Sequence, residues 1–269
     1  EGGGGGGEIS NLNFAVKMKA GRLLADPATL VYKSGRADFS LLIDDSDPAA
    51  APEVEVKGDV KELELKGLLE PLALDLHISG KLTARTELKS RGRSLDELAT
   101  NLNGPFEVVL EKGQVPSQIM KLIAIDLLGW SFDKVLMQKR SVEIGCGILA
   151  LEAQQGLLTI KTFIFESPNL ITTGAGTVDL KNETCDLTIY PKQKREFLAM
   201  VNPVNIKGSL QDPQVIAIPF KSAALLYGGV LLAPQIFLPA IGLDYLWGKV
   251  SKDSKGSKSP CFEYLNKKK

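Results

Sequence analysis

Few residues in this chain could carry out acid–base, nucleophilic or metal chemistry. Among 269 residues there is one histidine, His77, and the three cysteines, Cys146, Cys185 and Cys261, are far apart. A histidine-rich metal site needs several histidines, and structural zinc needs cysteines in close pairs. We therefore expect neither a metal site nor a cofactor.

Two short motifs come nearest to a ligand site. Asp44-Asp45-Ser46-Asp47 resembles half of a calcium loop but lacks its glycine and distal glutamate, so we interpret it as a turn before Pro48. Gly174-Ala175-Gly176 precedes a strand-like stretch, so no helix N-terminus follows to hold a phosphate. The common hydrolase, NTPase and metalloprotease motifs are absent from the sequence, and His77 occupies a polar position that we interpret as solvated. We expect that the protein is not an enzyme.

Composition and charge exclude several classes of protein. Lys+Arg and Asp+Glu both number 32, so no net positive charge attracts nucleic acid. Hydrophobic residues make up 44% and charged residues 24%, which excludes wholesale disorder and a polytopic membrane protein. The 26 glycines and 14 prolines beside 6% aromatic residues indicate many short strands and turns.

The dominant hydrophobic period is two, which is typical of strands with one apolar and one polar face. Val54, Val56 and Val60 alternate with charged residues. The same pattern occurs at Leu74, Leu76 and Ile78, and in Val142–Leu151, Leu157–Phe165 and Leu187–Ile189. It predicts a mainly β protein with an antiparallel sheet that is wetted on one face.

A degenerate repeat, apolar-x-Gly-x-apolar, runs through these strands. Its first three glycines, Gly58, Gly80 and Gly104, are 22 and 24 residues apart. This spacing predicts one hairpin per repeat, and stacked hairpins build an elongated sheet. Glycine within a strand predicts a bulge or a bend.

Three stretches are predicted to be helical. Ser94 and Glu97 form a capping box, and Asn103-Gly104 is the stop signal. Pro116 opens a second helix over Ser117–Leu128. The third stretch, Ala223–Trp247, is apolar for 25 residues with one formal charge.

The apolar stretch and the residues after it could meet a membrane. Ala223–Trp247 is long enough to span a bilayer, but Pro234 and Pro239 break it, which favours a broken hairpin that plugs the sheet or lies at a membrane surface. From Lys249 to Lys269 the net charge is +5. This basic tail either touches anionic headgroups or is solvated.

Residues 91–104, 171–187 and 206–213 carry three motifs that, in this order, resemble elements of AsmA-like proteins of Gram-negative bacteria. Residues 91–104 read RGRSLDELATNLNG and resemble the element GxSLxELAxNLxG. Residues 171–187, ITTGAGTVDLKNETCDL, are similar to GxGxIDLxxExLDL, and residues 206–213, IKGSLQDP, to the closing VxGTLxxPxV. The resemblance covers about residues 54 to 220.

The resemblance implies an elongated, curled β-groove in the periplasm, attached to the inner membrane by an N-terminal helix. The family is associated with outer-membrane biogenesis, and its larger members are thought to conduct phospholipid between the two membranes. Without an anchor helix, this chain would be the C-terminal domain of a longer protein. We divide it into a flexible glycine linker (1–8), an AsmA-like β domain (9–220), a hydrophobic helical segment (221–248) and a basic tail (249–269).

The resemblance also implies a pairing of the cysteines. AsmA-like chains carry cysteines at positions like Cys146 and Cys261, so we expect a disulfide that pins the tail to the sheet; three reduced cysteines are the alternative. Cys185 replaces a leucine of the family motif and should be a buried free thiol.

Two functions remain open at this point. In the first, the protein binds and transfers lipid, and phospholipid acyl chains contact the apolar residues Val54, Val56, Leu74, Leu76, Ile78, Leu187 and Ile189. In the second, it is a scaffold for outer-membrane protein assembly that binds envelope proteins through exposed strand edges. A sheet with one apolar face can pack into a sealed core or curl around an apolar ligand, and periodicity does not separate the two. We expect membrane contact through residues 223–247 and no nucleic-acid partner.

Overall fold

The computed structural model describes residues 9–66, 78–116, 141–168, 170–193, 203–218 and 260–267. These contain twelve strands and two complete helices. The strands are β1 Ile9–Lys19, β2 Arg22–Tyr32, β3 Gly35–Asp44, β4 Glu53–Glu64, β5 Ser79–Arg91, β6 Gly104–Pro116, β7 Ser141–Gln154, β8 Leu157–Glu166, β9 Leu170–Asp179, β10 Thr184–Gln193, β11 Val204–Ser209 and β12 Pro213–Ala217. The helices are α1 Leu95–Thr100 and α2 Pro260–Lys267.

All twelve strands form one open, curled antiparallel sheet. The order in the sheet is the order in the chain, so each strand pairs with the next and β1 and β12 are its edges. The predicted mainly β, antiparallel architecture is confirmed.

Tight turns join several of these strands. Ala20-Gly21 connects β1 to β2, and Gln155-Gly156 connects β7 to β8, with positive φ at all four residues. Two successive residues of positive φ match the twist of a two-residue hairpin, which glycine adopts without strain.

The glycine repeat follows single strands rather than hairpins. Gly58 lies in β4, Gly80 in β5 and Gly104 in β6, so the predicted unit of one hairpin is wrong. The spacing misled because the connections between these strands are long. Gly104 adopts φ +118, and a β-carbon there would collide with the carbonyl oxygen of Glu87. A side chain is therefore excluded at this close approach of β6 to β5.

Ser94 caps α1 as predicted, but the Glu97 side chain bonds to the amide one residue before the one that a capping box uses. The Ser94 hydroxyl accepts a hydrogen bond from the Glu97 amide at 3.1 Å, and the Glu97 carboxylate accepts one from the Arg93 amide at 2.6 Å. Beyond α1, Asn103 exchanges backbone hydrogen bonds with Lys89, and its side chain accepts from the Gln155 amide at 2.9 Å. The motif at 91–104 thus ties β5 to the β7–β8 turn.

Other predicted elements lie outside the described residues: the helix over Ser117–Leu128, the apolar stretch Ala223–Trp247, and His77 with its neighbours Leu74 and Leu76. No helix among the residues that the structure describes is long and apolar enough to cross a membrane. Part of the basic tail is ordered, since α2 lies within it.

Candidate functional site

Side chains that face each other across paired strands lie on the same side of a sheet, so the register assigns every strand residue to a face. Following partners from β1 to β12 gives a transverse row with one residue from each strand. We call it row 1, and it contains only apolar residues and one glycine: Leu12, Leu30, Ala37, Val60, Ala84, Val108, Leu149, Phe163, Gly174, Ile189, Val204 and Ala217.

Two further rows lie on the same side. Row 2 contains Phe14, Ala28, Phe39, Gly58, Thr86, Phe106, Leu151, Ile160, Gly176, Leu187, Ile206 and Val215. Row 3 contains Val16, Ala25, Leu41, Val56, Leu88, Gly104, Ala153, Leu158, Val178, Cys185, Gly208 and Pro213. We call the side with these rows the inner face. Glu143, opposite Gln114 near the start of β7, is a charged residue at its margin.

The opposite side, the outer face, is charged over β2 to β5. Cross-strand ion pairs join Lys89 to Glu55 at 2.7 Å and Arg91 to Glu53 at 2.8 Å. Lys57 pairs with Glu87 at 3.1 Å, and all of these side chains are at least partly solvent-exposed. Exposed pairs of this kind contribute little stability, but they identify the outer face as the wetted side.

Carboxylates on the outer face also accept hydrogen bonds from cationic, hydroxyl and amide groups, which favour the ionised form. The Arg36 guanidinium and the Thr29 hydroxyl hold the pKa of Asp38 below its ordinary value. In the other half of the sheet, hydrogen bonds from Lys207 and then Asn205 lower the pKa of Asp186. These carboxylates therefore stay negatively charged on the face opposite to the three apolar rows.

Among the described residues, the two helices lie at the margin of the inner face or on the other side of the sheet, and α1 meets the end of β5, where the Ser90 hydroxyl donates to the Leu98 carbonyl oxygen at 2.6 Å. The second helix, α2, contacts β7 and β8 on the outer face. Most inner-face side chains are half-buried, and those of the edge strand β1 are open: Leu12 is 71% exposed, Phe14 68% and Met18 76%. A contiguous apolar array of this extent makes the inner face the candidate binding surface.

One part of the inner face is fully packed. Tyr32, Ala37, Val60 and Leu63 form a buried cluster at one end of β2, β3 and β4. Leu30, Leu82 and Ala84 pack against it half-buried, so the cluster passes into the open rows without a polar boundary. At this end of β2, β3 and β4, the inner face is therefore a closely packed apolar cluster.

The structure places four of the predicted lipid-contact residues on the inner face, two on β4 and two on β10. Val56 lies in row 3, Leu187 in row 2 and Ile189 in row 1, and Val54 lies beside Val56 on the same face. Ile78 was predicted within a strand but precedes β5, since the strand begins at Ser79. Leu74 and Leu76 lie outside the described residues.

Sequence reasoning missed the first three strands. β1 contributes Leu12, Phe14, Val16 and Met18 to the inner face, and β3 contributes Phe39. The signal was present in residues 12–19, LNFAVKMK, where large apolar residues take every second position. In β2 the alternation is broken by a register shift between Ala25 and Ala28.

A second, smaller apolar patch lies on the outer face and is covered. Val109, Cys146, Ile148 and Ile164 point outward from β6, β7 and β8, and α2 packs on them through Cys261 together with Tyr264 and Leu265. Cys146 and Cys261 form a disulfide with Cα atoms 6.3 Å apart, which confirms the expected pairing. Cys185 is a buried free thiol, also as expected.

The polar groups that the structure describes form no second site comparable to the inner face. A polar cavity beside α1 is lined by Glu53, Lys89, Arg91 and neutral residues such as Asn103. Its charged groups already pair across β4 and β5. In the part of the chain that the structure describes, no group of three or more His, Cys, Asp or Glu side chains could hold a metal ion.

Sequence comparison finds a relative across the whole sheet. The chain is similar to the AsmA family protein YhjG of Escherichia coli (strain K12), with 22% identity over 264 residues. The match covers 97% of this chain but 37% of that relative, so the chain spans well under half of the relative's length. No family model matches the chain. No solved structure matches it either.

Proposed function

Because the chain belongs to the AsmA-like family, we propose that it is a lipid-binding and lipid-transfer domain of the cell envelope, without enzymatic activity, whose inner face holds phospholipid acyl chains. The observation that carries this proposal is the set of three transverse rows, in which Thr86 is the one polar side chain apart from the Cys185 thiol.

The physical reason is the area of apolar surface that the rows offer. Strands lie about 4.8 Å apart and rows about 6.7 Å apart, so twelve strands form an apolar face of roughly 50 Å by 20 Å. Burial of one CH₂ group is favourable by about 0.8 kcal/mol, so an acyl chain binds such a face without any polar recognition group. The outer face carries the charged side chains, and it therefore stays in contact with water.

We propose a periplasmic location, with attachment to the inner membrane in the longer protein. The disulfide between Cys146 and Cys261 supports an oxidising compartment, since such bonds are rare where thiols are kept reduced. The length of the E. coli relative leaves room for other segments, including a membrane anchor.

Lipid analysis of the protein purified without detergent tests the proposal. We expect phospholipid in stoichiometric or greater amount by mass spectrometry of the extract. A stable protein that contains no lipid, and that takes up none from vesicles, would contradict it.

A scaffold function is the second candidate, and the edge strand β1 favours it. β1 is 11 residues long, lacks proline and has open apolar side chains, whereas natural edge strands are usually short or blocked. Such an edge can accept a strand from an envelope protein. Capture of a β-strand peptide by lipid-free protein, with loss on Val16→Pro, would support this function over lipid binding.

A further inference from the structure

The sheet sorts the three cysteines between its two faces. Cys146 lies on the outer face, opposite Glu111 and Glu166 on the neighbouring strands. Cys185 lies in row 3 of the inner face, opposite Val178 and Gly208. A disulfide needs β-carbons that point toward each other, so the sheet itself prevents Cys146 from pairing with Cys185.

The Cys185 thiol is also poorly reactive. Burial raises the pKa of its thiol above the ordinary value, and the neighbouring Asp186 charge raises it further. The thiolate is the reactive form, so Cys185 competes poorly in thiol exchange. Cys261 is therefore the remaining partner for Cys146 within the chain.

The helix that carries Cys261 is too short to dock by itself. α2 has eight residues, whereas isolated helices shorter than about 12–15 residues are marginal in water. Among the α2 side chains that the structure describes, Cys261, Tyr264 and Leu265 contact the outer cluster, and the last two are only partly buried. The disulfide supplies the remaining constraint, because it joins α2 to β7 across 115 residues of chain.

We propose that the Cys146–Cys261 disulfide is an oxidation-dependent latch: α2 covers the outer apolar patch of β6, β7 and β8 only in the oxidised chain. Oxidation removes two electrons and two protons from the paired thiols, with a disulfide-forming oxidant as acceptor. A dithiol reverses the step, becoming a disulfide itself and returning both cysteines to thiols. Release of α2 exposes Val109, Ile148 and Ile164 and leaves the inner face unchanged.

The bond is shielded once it has formed. Cys146 is 6% exposed and Cys261 2%, so a reductant reaches them only after local opening. The disulfide therefore forms once, during maturation in an oxidising compartment. Its formation leaves α2 docked on the outer apolar patch. This inference does not depend on lipid binding.

Hydrogen exchange of the full chain tests the latch. In the oxidised protein we expect protected amides in α2. In Cys261→Ser, and in wild-type protein reduced with dithiothreitol, we expect residues 261–267 to exchange at least tenfold faster while β2 to β5 keep their protection. Cys185→Ser is the matched control and should leave α2 protected.

Two results would overturn the inference. If α2 in Cys261→Ser and in reduced protein stays within threefold of the oxidised rate, packing alone holds the helix. If the strands lose protection together with α2, the disulfide stabilises the whole sheet and is not a local latch.

Discussion

Phe163 of β8 and Ile189 of β10 reach the same point above β9. Each places its Cδ1 atom 2.9 Å from the position that a β-carbon on Gly174 would occupy. The strand between them has no side chain at this position, so its neighbours close the gap in row 1. A continuous apolar face therefore depends on a glycine as much as on the large residues.

Gly174→Ala should destabilise the protein. The added methyl group displaces Phe163 and Ile189, and overpacking of this kind costs about 1–3 kcal/mol. Urea denaturation measures the change in the free energy of unfolding. The control is Gly145→Ala on β7, where the new β-carbon meets only Glu166 O at 3.5 Å, an ordinary contact. Equal losses in the two variants would show that Gly174 has no special packing role.

Val56→Asp should remove bound lipid without unfolding the sheet. It places a charge within row 3, and a charge beside an acyl chain costs far more than one CH₂ contributes. We expect at least a tenfold fall in lipid per protein by mass spectrometry. Ser40→Asp is the matched control, since Ser40 lies on the outer face opposite Lys57. Equal lipid content in both variants would refute the assignment of the inner face.

Ser94→Ala should lower the free energy of unfolding, because it removes the N-cap of α1 beside the end of β5. Loss of the hydroxyl that accepts from the Glu97 amide costs about 1 kcal/mol, a typical value for an N-cap. Leu95→Ala is the control, because Leu95 is 86% exposed and its loss should change stability by less than about 0.5 kcal/mol. Thermal unfolding of the two variants gives the comparison, and a larger effect of Leu95→Ala would contradict the capping account.

Asp186→Asn should reduce the acid sensitivity of the protein. Lys207 donates to the Asp186 carboxylate at 2.9 Å and holds its pKa below the ordinary value of 3.8. A lowered folded pKa gives stability that is present above the unfolded pKa and lost as pH falls through the folded one. The difference in unfolding free energy between wild type and Asp186→Asn should therefore shrink below about pH 4. A difference that is constant between pH 6 and pH 2 would contradict this.

Strands that alternate over most of their length could be predicted from sequence, and β4, β7, β8 and β10 are examples, although β4 and β8 each contain a register shift. So could α1, because the Ser94–Glu97 capping box is a local signal. Whether these strands shared a face could not be predicted, since register depends on every hairpin between them. The bulge between Ala25 and Ala28 shows the difficulty, because one extra residue reverses every side chain beyond it.

The end of the chain shows a second limit. α2 lies in a lysine-rich stretch, and its amphipathic pattern, with Cys261, Tyr264 and Leu265 on one side, indicates a helix but not the surface on which it packs. Its position depends on a distant patch around Ile148 and on the bond to Cys146. The resemblance to AsmA-like proteins supplied that pairing, whereas the sequence pattern by itself left three reduced cysteines as an alternative.

Site-specific photocrosslinking along β4 tests the central claim most directly. A photoreactive residue is placed in turn at Val54, Glu55, Val56 and Lys57, and the protein is irradiated in the presence of phospholipid vesicles. Successive strand residues point to opposite faces, so we predict lipid adducts at Val54 and Val56 and none above background at Glu55 and Lys57. Adducts of equal yield at all four positions, or at none of them, would contradict the account.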